Sequence, residues 1–398
     1  MKIAMITPGF LPVPAVQGGA VEVLIQYLIE GNEKKQNCHI DLYTTTNKDI
    51  NEALYNYTDI IKIEPSFYTK AKNALVNKMY HLLKIKKWRT SYGREVVKKI
   101  GSKKYDYVVI HNNLMAYRDI YEKTNNKDNL IFVVHNNVND GDENHRIIAE
   151  LIAKTAKKIL TVSEFSKNNF LELCRTDNID VFYNCIDLKE YSNFISKEER
   201  NSLRDKYGLN KEDFVFIYSG RLDKYKGVLE LIKAFNKIQK SNVKLLIVGK
   251  SWFDEKKEKS DFEKELIRNA KESKNRIVFT GFIEPTFMPQ IYQITDCLIV
   301  PSMWEEPFGV VALEGMASKI PLIVTNSGGL LEIVDDSFAY IVNKETDVVS
   351  NLVKTMELVL NNPQIAGEKG SFGYSALLKR EEFDKKNYYD IFLKKIGI

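Results

Sequence analysis

The chain has 398 residues, of which 44% are hydrophobic and 28% charged, and its formal net charge is +5. This length exceeds one ordinary core, so two domains are expected. No stretch approaches the roughly 20 apolar residues of a membrane-spanning helix. The four cysteines form no Cys-x-x-Cys pair, which argues against a zinc site or a disulfide framework. A reduced, cytoplasmic location is therefore expected.

Short apolar strands alternate with helical patterns along the chain. The predicted strands are KIAMITPGF (interpreted as a strand rather than a signal peptide), HIDLYTT, YDYVVIHNN, LIFVVHNN, KILTVSE, DVFYNCI, FVFIYSG, VKLLIVGK, RIVFTGFI, DCLIVPS and PLIVTNS. Buried strands separated by helices are typical of parallel sheets covered on both faces. The restart of the pattern near residue 190 predicts two Rossmann-like α/β domains, 1–190 and 191–380, facing each other.

The segment from Lys70 to Lys104 is strongly basic, with Glu95 as its one acidic residue. Apolar residues recur in it at helical spacing: Leu75, Met79, Leu82 and Leu83. Such a segment suits an anionic membrane surface, and the alternative is a solvated helix with its apolar stripe on the core. Nucleic acid is disfavoured as a partner, because no recognised binding motif accompanies the charge.

Ligands of doubly wound sheets bind at the carboxyl ends of the strands, so the loops there are the candidate positions for chemistry. Gly18 and Gly19 follow the first strand and precede a helical pattern, where backbone amides can approach a phosphate or sugar. The alternative is an ordinary turn. His135 ends another strand and can contact sugar hydroxyls or anchor the next loop. His111 has a similar position and ranks lower.

Two cations follow the strand FVFIYS in the second half of the chain. Gly220 leads into Arg221 and Lys226, and a helix is predicted to begin near Gly227. Arginine binds phosphate bidentately and lysine acts as a point charge. The loop therefore predicts a diphosphate clamp, with surface charge in a turn as the alternative.

The stretch EEPFGVVALEG carries the most unusual carboxylates. Pro307 suits a first helical position, which would put Glu306 at the helix mouth and Glu314 about 12 Å further along the axis. Both could accept hydrogen bonds from hydroxyls of one extended ligand, while the amides of Phe308, Gly309 and Val310 face an anion. A helix-mouth charge and a structural salt bridge are the alternative roles. Glu305 falls outside the Glu-x7-Glu spacing and is not predicted to bind.

These motifs together resemble the retaining glycosyltransferases of family four, which have the GT-B architecture. The resemblance covers nearly the whole chain. It rests on QGGAVEVL, FVVHNN, ILTVSEFSKNNF, YNCIDLKEY, SGRLDKYKG, VFTGFI, EEPFGVVALEGMASKIPLIVTNSGGLLEIV and the aromatic C-terminal segment. The Glu-x7-Glu spacing of Glu306 and Glu314 is the most specific element.

The resemblance implies a role for each candidate residue. Arg221 and Lys226 would hold the donor diphosphate, Glu314 the ribose, and Glu306 with the Phe308–Val310 backbone the donor sugar. His135 would contact that sugar near the reacting centre, and Gly18–Gly19 would line the phosphate and acceptor side. The turn Gly281, Phe282 and Ile283 would meet the nucleobase, and a helix at 381–398 would cross back to the first domain.

Three features depart from the family pattern. The loop after LLIVG lacks the second glycine that is common there, Cys185 stands where glycine is common, and Asn136 replaces the aspartate that often follows the histidine. The missing carboxylate would have polarised the imidazole of His135.

The resemblance implies transfer of a sugar from a nucleotide-sugar, a UDP-sugar above all, to a glycan or lipid-linked oligosaccharide acceptor in surface polysaccharide synthesis. No tightly bound cofactor and no metal are expected, and the enzyme would work in the cytoplasm, peripheral to the inner face of the membrane. A GT-B sugar-nucleotide epimerase and a catalytically inactive substrate-binding subunit are the alternative functions.

Overall fold

A computed structural model of the chain describes residues 1–64, 71, 74–76, 78–79, 91–138, 143–250, 260–273 and 276–398. The chain forms two compact units, one built from Met1–Asn184 with Lys385–Ile398 and the other from Cys185–Asp384. Each unit has its own parallel sheet. This confirms the prediction of two Rossmann-like α/β domains.

The first unit has a seven-stranded sheet in the order β3-β2-β1-β4-β5-β6-β7, and every neighbouring pair is parallel. The strands are β1 Lys2–Ile6, β2 His39–Thr45, β3 Thr58–Ile63, β4 Tyr107–His111, β5 Leu130–Val134, β6 Lys158–Thr161 and β7 Ile179–Val181. The helices are α1 Ala20–Lys35, α2 Ser91–Ile100, α3 Leu114–Lys123, α4 Glu143–Thr155, α5 Glu164–Leu173 and, at the end of the chain, α14 Lys385–Ile396. The strand order reverses between β1 and β4, which is where doubly wound sheets bind ligands.

The second unit has a six-stranded parallel sheet in the order β10-β9-β8-β11-β12-β13. The strands are β8 Phe214–Ser219, β9 Val243–Val248, β10 Ile277–Gly281, β11 Cys297–Val300, β12 Leu322–Thr325 and β13 Ala339–Val342. The helices are α6 Leu188–Tyr191, α7 Lys197–Lys206, α8 Val228–Asn236, α9 Asp261–Ala270, α10 Met288–Gln293, α11 Val310–Ala317, α12 Val348–Asn361 and α13 Pro363–Leu378. Here the order reverses between β8 and β11.

The last helix of the chain, α14, packs on α1 in the first unit. Tyr389 lies so close to Gly31 that a Cβ at Gly31 would be 2.4 Å from the tyrosine Cβ. The Tyr389 hydroxyl donates a 2.8 Å hydrogen bond to Asn32, and Tyr388 stacks on Phe182 with ring centroids 4.4 Å apart. The aromatic face of α14 therefore completes the core of this unit.

Part of the basic segment Lys70–Lys104 belongs to the core. Its C-terminal portion forms α2, which buries Tyr92, Val96 and Ile100 in the first unit. The apolar stripe of the sequence prediction lies before this helix. Leu75 and Met79 are exposed, whereas Leu82 and Leu83 lie outside the described residues.

The described residues include no helix that is long and apolar enough to cross a membrane. All four cysteines are buried free thiols. The sequence likewise indicates no disulfide framework.

Candidate functional site

The loops after β8 and β11 meet where the strand order of the second unit reverses. The first loop ends at Gly227, whose φ of 70° is left-handed. A Cβ at Gly227 would lie 1.8 Å from the carbonyl oxygen of Pro301, the residue after β11. Only glycine therefore allows this approach, and the approach fixes the position of Lys226.

Lys226 and Glu306 form an ion pair at this contact. The Lys226 ammonium lies 2.7 Å from Oε1 and 2.9 Å from Oε2 of Glu306, and the Ser302 hydroxyl donates to the same Oε1. The ammonium also lies 5.1 Å from the ring centroid of Trp304. Glu306 is only 6% exposed, and a buried carboxylate needs such partners.

The turn at Gly328 and Gly329 holds the backbone of the Glu306 loop. The Gly329 amide donates to the Glu306 carbonyl at 2.7 Å, and the Gly328 amide donates to the Glu305 carboxylate at 2.7 Å. Lys344 also bonds Glu305, at 2.6 Å. Glu305, which the motif spacing leaves outside the predicted site, thus ties the turn to the loop.

The helix after Glu306 begins later than the sequence predicts. Its first residue is Val310, with Gly309 as N-cap at a φ of 102°. A Cβ at Gly309 would lie 2.2 Å from Leu330 Cδ2. This packing and the left-handed backbone of Gly309 prevent the helix from beginning before Val310. The prediction that Pro307 starts the helix is therefore wrong, and so is the separation of about 12 Å along one axis, because Glu306 precedes α11.

Glu314 has its own partner on a different helix. The Tyr292 hydroxyl of α10 donates a 2.6 Å hydrogen bond to Glu314 Oε2. Burial raises the pKa of Glu314, and the Tyr292 hydrogen bond partly offsets this rise. Tyr292 was missed from the sequence, where it is one aromatic residue in a short apolar helix.

Three glycines lie at the ends of the adjacent strands β8, β9 and β10. The Gly249 amide donates to the Gly281 carbonyl at 2.9 Å, and a Cβ at Gly249 would lie 1.9 Å from the Gly220 carbonyl oxygen. Phe282 and Ile283 follow Gly281 and are half-buried. The backbone at this edge is tightly packed, and the rest of the loop after β9, residues 251–259, lies outside the described residues.

Arg221 lies on the same loop as Lys226 but has a different environment. Its guanidinium is 3.6 Å from Asp223 and its side chain is 54% exposed. The Tyr218 hydroxyl donates to the Arg221 carbonyl at 2.6 Å. The structure thus pairs Lys226 with Glu306 and leaves the Arg221 side chain accessible to solvent.

In the first unit, His111 and His135 form a hydrogen-bonded pair. Nδ1 of His111 lies 3.0 Å from Nε2 of His135, and the rings stack at 5.3 Å. The Asn112 side chain accepts hydrogen bonds from the backbone N–H groups of His135 and Asn136, both at 3.2 Å. His111 and His135 are neighbours because β4 pairs with β5 in the sheet. The sequence alone does not show this pairing, so from the sequence the two histidines are separate candidates.

Both imidazoles are neutral near pH 7. Burial lowers the pKa of His135 to about 3 and that of His111 well below its usual value. Their outer nitrogens, Nε2 of His111 and Nδ1 of His135, are buried and without a hydrogen-bond partner in the described part of the chain.

Gly18 and Gly19 precede α1, as the sequence predicts. Their φ angles are 74° and 99°, and Gly19 is the N-cap of the helix. Glu22 in the first turn is buried. Sequence reasoning missed Glu22, because an acidic residue in a first helical turn is common.

One group of side chains in the described residues has the spacing of a metal site: His39, Asp41 and Asp59. Asp41 already receives the ammonium groups of Lys2 at 3.2 Å and Lys103 at 3.1 Å. These cations compete with a metal ion for the same carboxylate. The group also lies away from the loops at the carboxyl ends of the strands, where the sequence places the site.

Comparison with solved structures identifies the fold. The chain is similar to Anabaena Alr3699/HepE, solved in complex with UDP and glucose, with a TM-score of 0.77 and 20% identity over 100% of this chain and 99% of that one. The two parallel-sheet units have the GT-B fold of glycosyltransferases.

Comparison of sequences finds a family match over part of the chain and similar proteins over most of it. Residues 199–375 match the family described as Glycosyl transferases group 1. A lipopolysaccharide 1,2-N-acetylglucosaminetransferase of Salmonella typhimurium is 28% identical over 302 residues, 73% of this chain and 75% of that protein. The putative glycosyltransferase YtcC of Bacillus subtilis is 26% identical over 372 residues, covering 92% and 84%. The chain is a glycosyltransferase, and the group 1 similarity lies in its residues 199–375.

Proposed function

We propose that the chain is a retaining glycosyltransferase that moves a sugar from a UDP-sugar to a hydroxyl group of a glycan acceptor. The observation that carries the proposal is the Lys226–Glu306 pair, a partly buried cation and a buried carboxylate where the strand order reverses. These groups match a diphosphate and a sugar hydroxyl. The similarity to HepE, which was solved with UDP and glucose bound, and to the Salmonella N-acetylglucosaminetransferase supports this assignment.

Donor binding would change the partner of Lys226. In the structure its ammonium is bonded to Glu306, and the accessible Arg221 guanidinium supplies a second cation nearby on the loop. A diphosphate would take the Lys226 ammonium and the Arg221 guanidinium, while the first amides of α11 add the positive end of a helix. This arrangement requires no metal, because these groups supply the positive charge.

The rest of the donor would lie along the carboxyl edge of the same sheet. Glu306, released from Lys226, accepts a sugar hydroxyl beside the backbone of Phe308, Gly309 and Val310. Glu314, oriented by Tyr292, accepts hydroxyls of the ribose. The backbone of Gly281, Phe282 and Ile283 meets the nucleobase.

The transfer step exchanges one bond at the anomeric carbon for another. The bond from that carbon to the diphosphate oxygen breaks, and a bond to the acceptor oxygen forms on the same face. The acceptor proton goes to the leaving diphosphate, because no carboxylate pair of the glycosidase type is evident in the sequence. Arg221, Lys226 and the helix amides stabilise the departing charge, and His135 contacts the sugar near the reacting centre.

We infer a lipid-linked glycan acceptor at the cytoplasmic face of a membrane, as in surface polysaccharide synthesis. The lipopolysaccharide relative supports this acceptor class, and the basic segment Lys70–Lys104 supplies positive charge for anionic lipid. Sedimentation with liposomes tests it. We expect binding to vesicles that contain anionic lipid, and equal binding to neutral vesicles contradicts it.

A panel of nucleotide-sugars, scored by thermal shift and slow donor hydrolysis, tests the function and names the donor. We expect Arg221→Ala and Glu306→Ala to abolish transfer while the fold remains intact. Lys224→Ala is the matched control, because Lys224 lies exposed on the same loop over the Tyr225 ring. Near wild-type turnover by either folded site variant overturns the assignment, and an epimerase would instead interconvert the donor without an acceptor.

A further inference from the structure

Glu22 is a buried carboxyl group that no cation of the described residues neutralises. It lies in the first turn of α1 and is 5% exposed. Its carboxylate bonds its own backbone amide, and no lysine, arginine or histidine in the described part of the chain pairs with it. Burial of an ionised carboxylate without a cationic partner is costly, so a structural role alone does not explain why it is buried.

The Glu22 side chain folds back toward the glycine turn. A Cβ at Gly19 would lie 2.3 Å from Glu22 Oε2 and 2.8 Å from Leu11 Cδ1. Any residue other than glycine would therefore collide with the carboxyl group. The carboxyl group thus lies against the Gly18–Gly19 turn, beside the strand-order reversal of the first unit.

The loop that carries this turn is held at several points. Three hydrogen bonds fix it: Asn113 Nδ2 to the Pro8 carbonyl at 2.9 Å, Val13 N to Thr44 Oγ1 at 2.8 Å, and Ala15 N to Gln26 Oε1 at 2.9 Å. A fixed loop holds a binding group in one geometry, as an acceptor subsite requires.

Helix capping does not account for the burial. A glutamate at the third helical position commonly bonds the N-cap amide, and an exposed side chain serves that purpose equally well. Burial raises the pKa of Glu22 to about 7, so the group carries a proton for part of the time at neutral pH. Such a carboxyl can both donate to and accept from hydroxyl groups.

We propose that Glu22 binds a hydroxyl group of the acceptor sugar and so determines acceptor specificity. The inference rests on the proposed function and deepens it. A carboxyl group enclosed in this way accepts a neutral polyhydroxyl ring. It disfavours a phosphate ester at the same place, because two anionic groups would meet in a buried site. The acceptor site of the first unit is thus selective for a neutral sugar.

The test uses methyl glycosides and their phosphate esters as acceptor probes, with the full chain and the donor found in the panel. We expect Glu22→Gln to raise the KM for the neutral probe by about ten-fold or more, as loss of a hydrogen bond to a charged group implies. The KM for donor and the rate of donor hydrolysis should stay within about two-fold of wild type. Glu30→Gln, on the same helix but paired with Lys385 at 2.9 Å, should leave the acceptor KM unchanged.

Each outcome decides the inference. An unchanged acceptor KM in folded Glu22→Gln, or a preference of wild type for the phosphate ester, overturns the inference while donor hydrolysis still upholds the proposed function. Absence of donor hydrolysis in wild type contradicts the proposed function itself. Saturation-transfer NMR of the glycosides without donor then tests Glu22 separately, and equal binding by both proteins rejects its role. If Glu22→Gln does not fold, Glu22→Asp, which retracts the carboxyl by one carbon, should give the same loss of acceptor binding.

Discussion

At the scale of single residues, Lys226 and Glu306 form an ion pair, and the proposed function uses the same atoms. The buried carboxylate of Glu306 is stabilised by hydrogen bonds from Lys226 and Ser302. A ligand that binds the Lys226 ammonium in place of Glu306 must therefore supply Glu306 with another hydrogen-bond donor. In the proposed function, a sugar hydroxyl that donates to Glu306 would do so, and binding of the diphosphate would then be coupled to binding of the sugar.

The first prediction concerns this pair. Lys226→Met keeps the side-chain stem over Trp304 but leaves a buried charge without its partner, so we expect the free energy of unfolding to fall by roughly 3 kcal/mol. Adding Glu306→Gln should restore most of that loss. Lys224→Met is the control, and chemical denaturation is the measurement. A double variant no more stable than Lys226→Met contradicts the coupling.

The histidine pair predicts how stability depends on pH. The pKa of His135 is about 3 in the folded protein, below its usual value of 6.5, and that of His111 is also lowered. Below pH 6.5 the unfolded chain binds protons that the folded chain does not. The free energy of unfolding should therefore fall as the pH drops from 6.5 toward 3, by about 1.4 kcal/mol per pH unit for His135, and His111 adds a loss in the same direction.

Denaturation curves between pH 7.5 and 5, a range of about 2.5 units chosen around the ordinary histidine pKa, measure this slope. The double variant His111→Gln with His135→Gln should flatten it, and His145→Gln on α4 should not. An unchanged slope in the double variant would show that the pair is not the source.

The charged residues of the candidate site could be predicted from the sequence, but most of their hydrogen-bond partners could not. Arg221, Lys226, Glu306 and Glu314 stand out as charged residues after or within apolar runs. Their partners Ser302 and Tyr292 are ordinary residues until the fold brings them within hydrogen-bond distance. Glu22 was missed for a related reason, because burial of a first-turn glutamate depends on the turn packed over it.

At the scale of elements, the close packing of backbone against certain glycines determines the positions of the loops. Gly227 has a φ of 70° and a Cβ there would strike the Pro301 carbonyl, whereas Gly208 has a φ of 67° and open space around it. The two positions have nearly the same φ and differ in packing.

This difference gives a matched prediction. Gly208→Ala should cost about 1 kcal/mol of stability, the penalty of a left-handed backbone. Gly227→Ala should cost clearly more, because the two loops must separate, and it should also abolish donor binding. Thermal unfolding of both variants, with nucleotide-sugar binding, is the measurement. Equal destabilisation by the two substitutions would contradict the role of the contact.

The fold class and eleven of the thirteen strands in the described part of the chain could be predicted from apolar runs between helical patterns. The missed strands, β3 and β13, are both at sheet edges. Edge strands bury fewer side chains, and TDIIKI and AYIV accordingly are partly exposed. The start of α11 was mispredicted because proline favours a first helical position, whereas the contact of Gly309 with Leu330 decides the outcome.

At the scale of the whole molecule, each unit has its own sheet, its own reversal of strand order and its own cluster of polar groups. The second unit holds the pair Lys226–Glu306 and the Glu314–Tyr292 hydrogen bond. The first holds the histidine pair and Glu22. This division assigns donor recognition to the second unit and acceptor recognition to the first, within the function proposed above.

The anomeric configuration of the sugar first released from an α-linked UDP-sugar tests the central claim most directly. Time-resolved proton NMR distinguishes the two anomers before they equilibrate. We expect the α-anomer from wild type and no release from folded Glu306→Ala. A β-anomer as the first product, or undiminished release by Glu306→Ala, would contradict the claim.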